Sequence, residues 1–320
     1  MKSIITPIDK NVIRRELNDE RFLRKTNKAQ NEIYIINAHN APNTMKEIGR
    51  LREVSFRLGG GGSGNEIDVD EFDFMEKPYQ QIIVWNPDAE EIIGGYRFIH
   101  GKNVTLKPNG QPLIAMEHLF KFSDEWVQND LPHTMELSRA FVQPKYQSAQ
   151  MGLKSLFSLD NLWDGIGALI ASYSDIKYLI GKVTIYSIME EKTRNAIIFF
   201  LDKFFGNHDG HITPKEEISV PDNQKKELER LFSEKEYKDN YRILQNYVKH
   251  FGETIPSLIH GYIELSSSMQ TFGTGFDKDF GDIYDTGMMI TVDDIYAAKR
   301  ARYVETFLDT HSGEIPKLKL

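Results

Sequence analysis

Apolar and polar positions along the chain follow two periods, and the changes of period mark the elements. Residues 32–38, EIYIINA, alternate and are β-branched, which predicts a strand. A helix follows: Pro42 precedes a Thr44/Glu47 pair with capping-box spacing, and Met45, Ile48, Leu51, Val54 and Leu58 then recur at helical intervals. The cluster GGGGSG at 59–64 ends that helix and supplies a turn able to serve as a loop or as a flap over a site. QIIVW (81–85) and EIIGGYRFIH (91–100) read as strands joined by NPDAE, whose Asn-Pro-Asp content is turn chemistry, so an antiparallel hairpin is predicted. TMELSRAFV (134–142) is a third strand, closed by Pro144.

Farther on, Leu153, Leu156, Phe157, Leu162, Trp163, Ile166, Leu169 and Ile170 fall at three- and four-residue steps and describe a long buried helix. KYLIGKVTIY (177–186) is a strand, and 190–205 another helix. Residues 206–250 are densely charged and read as a helical surface insertion; GYIEL (261–265) and TGMMITV (286–292) read as late strands. With no internal repeat and no low-complexity linker, the predicted organisation is one α/β (α+β) domain over 1–320, carrying a basic arm at 1–30 and the charged insertion at 206–250.

Composition narrows the function classes. A chain of 320 residues, 40% of them hydrophobic, can bury a substantial core. A net charge of -8 argues against a general nucleic-acid binder, which needs a basic surface. The absence of cysteine removes disulfides, thiol nucleophiles and cysteine-ligated zinc. No run approaches the ~20 apolar residues that span a bilayer, so a cytoplasmic location is expected, with membrane contact at most peripheral, at the inner membrane. The first thirty residues hold eight basic side chains against four acidic ones, which suits a solvated arm or a docking surface for an acidic partner or lipid head groups. NHDGH (207–211) offers two histidines without an accompanying ligand cluster, so no metal site is expected; Tyr241 and Tyr247 read as packing residues.

Four motifs, LREVSF (51–56), DVDEFD (68–73), GGYRF (94–98) and ELSRAFV (136–142), occur in the order and at roughly the separations seen in acyl-homoserine-lactone synthases. Together with the late GYIELSSSMQ and FDKDFGD segments, they resemble more closely the ornithine and glycine lipid N-acyltransferases, whose bacterial relatives are often labelled hemolysins. The resemblance covers about residues 45 to 296 and implies the acetyltransferase-like (GNAT) fold, a mixed twisted sheet flanked by helices. It implies roles for Arg52 and Phe56 in forming the site, for Asp70 and Asp73 as paired acids, for Arg97 as the strand arginine, and for Glu136 with Arg139 as an E-x-x-R strand. Glu136 would then take the proton of the attacking amine while the acids and arginines hold the geometry. The homoserine-lactone synthases carry a tryptophan after the helix pair where this chain has Leu58 and the glycine run, which argues against homoserine-lactone chemistry.

Elementary chemistry asks for the same groups. An ammonium must lose a proton before attacking a thioester, and a carboxylate is the expected base. The carbonyl oxygen gains charge and needs aimed donors, which Gly94 and Gly95 could supply from a strand bulge. Strict alternation places Glu136 and Arg139 on opposite faces of a strand, so a shared site requires a bulge there. Coenzyme-A-dependent relatives place a glycine-rich Q/R-x-x-G-x-G/A turn before the long helix; here Gln147 opens it, Gln150 replaces the first glycine, and Gly152, Leu153 and Lys154 remain to meet a single phosphate. That pattern points to an acyl-carrier-protein phosphopantetheine thioester rather than acyl-CoA as donor, to a small amino acid, glycine or ornithine, as acceptor, and to no tightly bound cofactor. The alternatives are an acetyl-CoA-dependent N-acetyltransferase, a non-catalytic GNAT-like binding domain, and a membrane-active hemolysin-like protein.

Overall fold

The computed structural model describes residues 1–147 and 153–311, those at 153–156 by backbone alone. In chain order the elements are α1 (Lys10–Glu16), β1 (Phe22–Lys25), β2 (Glu32–Ile36), α2 (Pro42–Leu58), α3 (Glu71–Phe74), β3 (Gln80–Asn86), β4 (Glu91–His100), β5 (Phe120–Phe122), α4 (Asp124–Asn129), β6 (Thr134–Val142), α5 (Pro144–Gln147), α6 (Leu153–Ser172), β7 (Tyr178–Ile185), α7 (Glu191–Phe205), β8 (Ile212–Pro214), α8 (Asp222–Leu231), α9 (Tyr237–His250), α10 (Ser257–Ile263), β9 (Gln270–Asp277), β10 (Ile283–Thr291), α11 (Ala297–Arg300) and α12 (Thr306–Thr310). They fall into two compact units, the first made of Met1–Asn103, Met135–Lys177 and Tyr296–Leu320, the second of Val104–Thr134 and Tyr178–Ile295.

In the first unit β1, β2, β3, β4 and β6 pair antiparallel in that order. β3 is buried along its whole length and β4 along all but its first residue, which is why both read as nearly continuous apolar runs. The predicted hairpin forms between them: Asn86 Oδ1 accepts from the amides of Asp88 and Ala89, and Glu90 takes a left-handed φ of 52° to close the turn. Gln81 bonds Arg52 of α2, and the next residue, Ile82, lies against Gly165 of α6. Since neighbours on a strand face opposite ways, the two helices cover opposite faces of the sheet. In the second unit β7, β10 and β9 pair antiparallel, β5 and β8 form a short ladder, and α4 and α7 to α10 complete it. Sheets flanked by helices are the α/β architecture expected of a GNAT-like chain.

Several local expectations are corrected. α2 has no capping box: its N-cap is Ala41, without a side-chain bond, and the first amides are met by a carboxylate 28 residues upstream. Glu16 accepts from the amides of Asn43 and Thr44 and from both their side chains, at 2.7 to 3.1 Å. That leaves Glu47 to pair with Arg50 and to accept from the Ile8 amide. GYIEL is not a strand, for Leu258, Ile259, Tyr262 and Ile263 follow helical spacing after Pro256 and form α10. β9 escaped the sequence because Gly273 and Gly275 interrupt it; Gly273 sits at φ 82°, in the left-handed region.

The first thirty residues are partly built into the first unit, since β1 pairs with β2. Arg24 is buried, donating to the Tyr303 carbonyl, Asn27 and Thr306, whereas Arg14, Arg15, Lys25 and Lys28 are exposed. In the charged 206–250 stretch, α8 and α9 form, and Tyr241 packs in the interior with its hydroxyl 2.9 Å from His260 Nδ1. The NHDGH histidines diverge: His208 lies 3.4 Å from Asp202, and His211 lies 2.9 Å from Ser123 Oγ. No helix among the described residues is long and apolar enough to cross a membrane.

Gly167 of α6 lies so close to the C-terminal segment that an added Cβ would stand 2.3 Å from the Tyr303 carbonyl oxygen. Gly167→Ala gains about 1 kcal/mol of helix propensity but forces backbone apart, and the net expected loss is about 1–3 kcal/mol in urea unfolding. Gly275→Ala, whose new Cβ would meet only Leu119 side-chain atoms at 3.5 Å or more, serves as the nearly neutral control.

Candidate active site

The D-x-x-D element makes its own short helix. Asp70 is the N-cap of α3, accepting from the Phe72 amide, and Asp73 at the third helical position accepts from the Asp70 amide at 3.2 Å, a reciprocal capping box. The oxygens that accept these capping amides, Asp70 Oδ1 and Asp73 Oδ2, also receive arginines. Arg97 of β4 donates to Asp70 Oδ1 at 2.5 Å and lies 3.4 Å from Asp73 Oδ2; Arg52 of α2 lies 3.3 Å from Asp73 Oδ2 and donates to Gln81 Oε1. Gln81 closes the ring by donating to Asp73 Oδ1 at 3.0 Å. Arg139 of β6 reaches Asp68 Oδ2 at 2.9 Å and Asp70 Oδ2 at 3.5 Å.

Three guanidinium groups thus meet three carboxylates, and Arg52, Arg97, Asp68 and Asp73 are all at most 1% exposed. Burial works against the charge on Arg97, but Asp73 and Asp70 outweigh it and hold the guanidinium well above its ordinary value. Burial depresses Arg52, partly offset by Asp73. It lifts the Asp68 carboxyl above the usual range, against the pull of Arg139. It also opposes ionisation of Asp70, yet Arg97 and Arg139 prevail and hold that carboxyl below the usual range.

A bulge in β6 delivers Arg139 to this cluster. Gly95 pairs with Phe141 and Arg97 with Ser138, so three steps on β6 match two on β4, and Arg139 takes up the extra residue at φ 50°. Glu136 and Arg139 are therefore released from strict alternation. Arg97 Nε donates to Ser138 Oγ at 3.0 Å, and its guanidinium lies 4.9 Å over the Tyr79 ring, whose hydroxyl donates to Glu136 Oε2. Glu136 and Tyr79 are both buried.

Of the residues singled out in the sequence, the structure brings Arg52, Asp70, Asp73, Arg97 and Arg139 into one cluster, with Glu136 joined to it through Tyr79. Phe56 is buried one turn after Arg52. Gly94 and Gly95 lie in mid-sheet, where a Cβ would stand 2.3 Å from the Phe141 carbonyl oxygen and 2.6 Å from that of Ile82, so close strand packing accounts for both. Gln147 ends α5 and donates back to the Val142 carbonyl. Gly152 lies outside the described residues, as does Gln150, and Leu153 and Lys154 open α6. The glycine run is pinned: buried Glu53 accepts from the Ser63 and Gly64 amides, from Ser63 Oγ and from Arg57 Nε, at 2.7 to 3.0 Å. Asp68, Tyr79, Gln81 and Ser138 were not singled out. Gln81 and Ser138 are the register partners of Arg97, so correct strand pairing would have found them.

Comparison with known proteins places the chain. The acetyltransferase (GNAT) domain profile matches residues 51–156. A glycine N(alpha)-acyltransferase of Bacteroides thetaiotaomicron is 46% identical over 311 residues, covering 97% of this chain and 92% of that protein. One of the same name from Phocaeicola vulgatus is also 46% identical, over 97% of this chain and 95% of its own length. The chain belongs to the GNAT acyltransferases. It is accordingly an enzyme that transfers an acyl group to an amine, as the motif resemblance implies. A solved CoA-dependent acyl-homoserine lactone synthase, BjaI with MTA, aligns over 89% of this chain and 92% of its own at 11% identity and a TM-score of 0.37.

For this GNAT acyltransferase the ion cluster sets a pH signature. Because the Asp70 carboxyl is held below its unfolded value, its stabilisation is complete above the ordinary aspartate range and is lost as pH falls through the lowered value. Asp70→Asn should cost about 1.5–3 kcal/mol at neutral pH, typical of a charged hydrogen bond. In denaturant titrations the gap from the unsubstituted protein should close as the pH is lowered.

Proposed function

We propose that this enzyme moves a long-chain acyl group from the phosphopantetheine thioester of acyl carrier protein to the α-amine of glycine, forming an N-acylglycine for aminolipid synthesis. The observation that carries the reading is the near-full-length identity to two proteins named glycine N(alpha)-acyltransferase. The carrier donor is favoured by Gln150, which stands where the coenzyme A turn has its first glycine, and by the exposed basic side chains Arg14, Arg15, Lys25 and Lys28, a surface of the sign an acidic carrier needs. Action in the cytoplasm, with peripheral contact at the inner membrane, fits an acylated product that partitions into lipid.

Glu136 takes the proton from the glycine ammonium, directly or through water, freeing the nitrogen lone pair. The nitrogen attacks the thioester carbonyl carbon; the new N–C bond forms as the C–S bond breaks, the nitrogen gives up a second proton to the leaving sulfur, and the carrier leaves as its thiol. Arg52, Arg97, Arg139 and the three aspartates hold the strand positions from which the base acts.

Glu136→Gln should fold normally and lower kcat by about two to four powers of ten, the range of a general base. The purified enzyme should form N-acylglycine, read by mass, from acyl carrier thioester and a panel of amino acids. Comparable kcat/KM with free acyl-CoA would refute the carrier donor, and preference for another amine would refute glycine.

A further inference from the structure

Tyr79 touches both the ion network, through Arg97, and the carboxylate read as the base. It is fully buried one residue before β3. Three contacts fix its ring and backbone. The Arg97 guanidinium lies over one face at 4.9 Å, Phe72 of α3 meets the ring edge-on with centroids 5.4 Å apart, and the Tyr79 amide donates to the Phe72 carbonyl at 2.9 Å. Arg97 also lies 5.6 Å over the Phe72 ring, so both aromatic rings serve the same cation. The phenol hydroxyl at the far end donates to Glu136 Oε2.

We propose that Tyr79 is a positioning residue: it transmits the rigidity of the Arg52–Asp73–Arg97–Asp70 network to Glu136 and holds that carboxylate in the orientation from which it accepts the amine proton. This rests on the reading of Glu136 as the base. A glutamate side chain turns about three bonds, so the regular pairing of Glu136 with Ile99 fixes its backbone but leaves its carboxylate free to turn. A donor on a ring clamped on its face and edge removes that freedom. Misplacement of a catalytic group by about 1 Å can cost on the order of a hundredfold in rate. The network residues then act on turnover through Tyr79, without touching either substrate.

The test is a double-mutant cycle read in steady-state and single-turnover kinetics, with acyl carrier thioester and glycine as substrates. Tyr79→Phe keeps the ring, its stacking on Arg97 and its packing on Phe72, and removes only the hydroxyl. It should lower kcat about tenfold to a hundredfold with both KM values within about twofold, since binding is untouched. In the Glu136→Gln background the same change should have almost no effect, because there is no base left to position. Glu136→Asp gives a second arm: its shorter side chain draws the carboxylate away from the phenol, so Tyr79→Phe should add less than about threefold there. Circular dichroism and thermal melting accompany each variant.

An equal fold-loss from Tyr79→Phe in the wild-type and Glu136→Gln backgrounds, or a rise in KM matching the fall in kcat, assigns Tyr79 a merely structural role and overturns the proposal. Unchanged turnover in Tyr79→Phe overturns it as well. If Tyr79→Phe melts early, the Glu136→Asp pair decides: turnover in Glu136→Asp equal to that of the unsubstituted enzyme would show that the tyrosine contact is dispensable. Undiminished turnover in Glu136→Gln would instead remove the base assignment, and the positioning with it, an outcome distinct from failure of Tyr79 alone.

Discussion

The cluster of three arginines and three aspartates ties α2, α3, β4 and β6 of the first unit together. Each charge costs several kcal/mol to take out of water, and mutual attraction offsets that cost only if geometry and hydrogen bonding are nearly complete. The structure works toward that condition by using two carboxylates more than once: Asp73 serves Arg52, Arg97, Gln81 and the Asp70 amide, and Asp70 serves Arg97, Arg139 and the Phe72 amide. Arg97 is held by Asp70, Ser138 and two ring faces. Removing one partner would strand a buried charge, so the elements that carry them, α2, α3, β3, β4 and β6, are obliged to keep their places.

That obligation explains the one strained position in β6. A non-glycine residue at φ 50° is disfavoured, and an isolated strand would relax it. Here Arg139 is held by Asp68 and Asp70, and the neighbouring register by the Arg97–Ser138 bond. Ion pairing thus supports a bulge, and the bulge lets residues 136 and 139 serve one site. The same segment explains the glycine pair in β4, where carbonyls of Ile82 and Phe141 press within 2.6 Å of any added Cβ.

Much of this was legible in the sequence, and the limits have physical causes. β3, β4 and β6 could be read because their residues are apolar on both faces or β-branched, with Asn-Pro-Asp marking the hairpin. The cluster residues could be read as a set because the motifs resemble those of known acyltransferases. What escaped were interactions set by long-range geometry. The Thr44/Glu47 spacing announces a capping box, but α2 starts earlier, with Ala41 as its N-cap, and Glu16 meets the amides of Asn43 and Thr44. Arg24 looked like one more surface cation, yet its donors meet the Tyr303 carbonyl 279 residues away. Tyr79 and Glu136 are 57 residues apart, and neither the aromatic nor the acid carries a local sign of the other.

Every residue of the cluster, with Tyr79 and Glu136, falls inside the stretch matched by the GNAT profile, residues 51–156. The second unit packs largely by apolar contacts such as those of Phe200 with Phe232 and Tyr241. The two kinds of packing tolerate change differently. Apolar side chains of similar volume can replace one another at modest cost, whereas members of a buried charge network are strongly coupled and cannot be exchanged singly. A carboxylate base gains from standing next to the second kind, since its orientation is then fixed by contacts that resist relaxation. The cost of burying four charges and half-burying two more is the physical condition for holding another, Glu136, still.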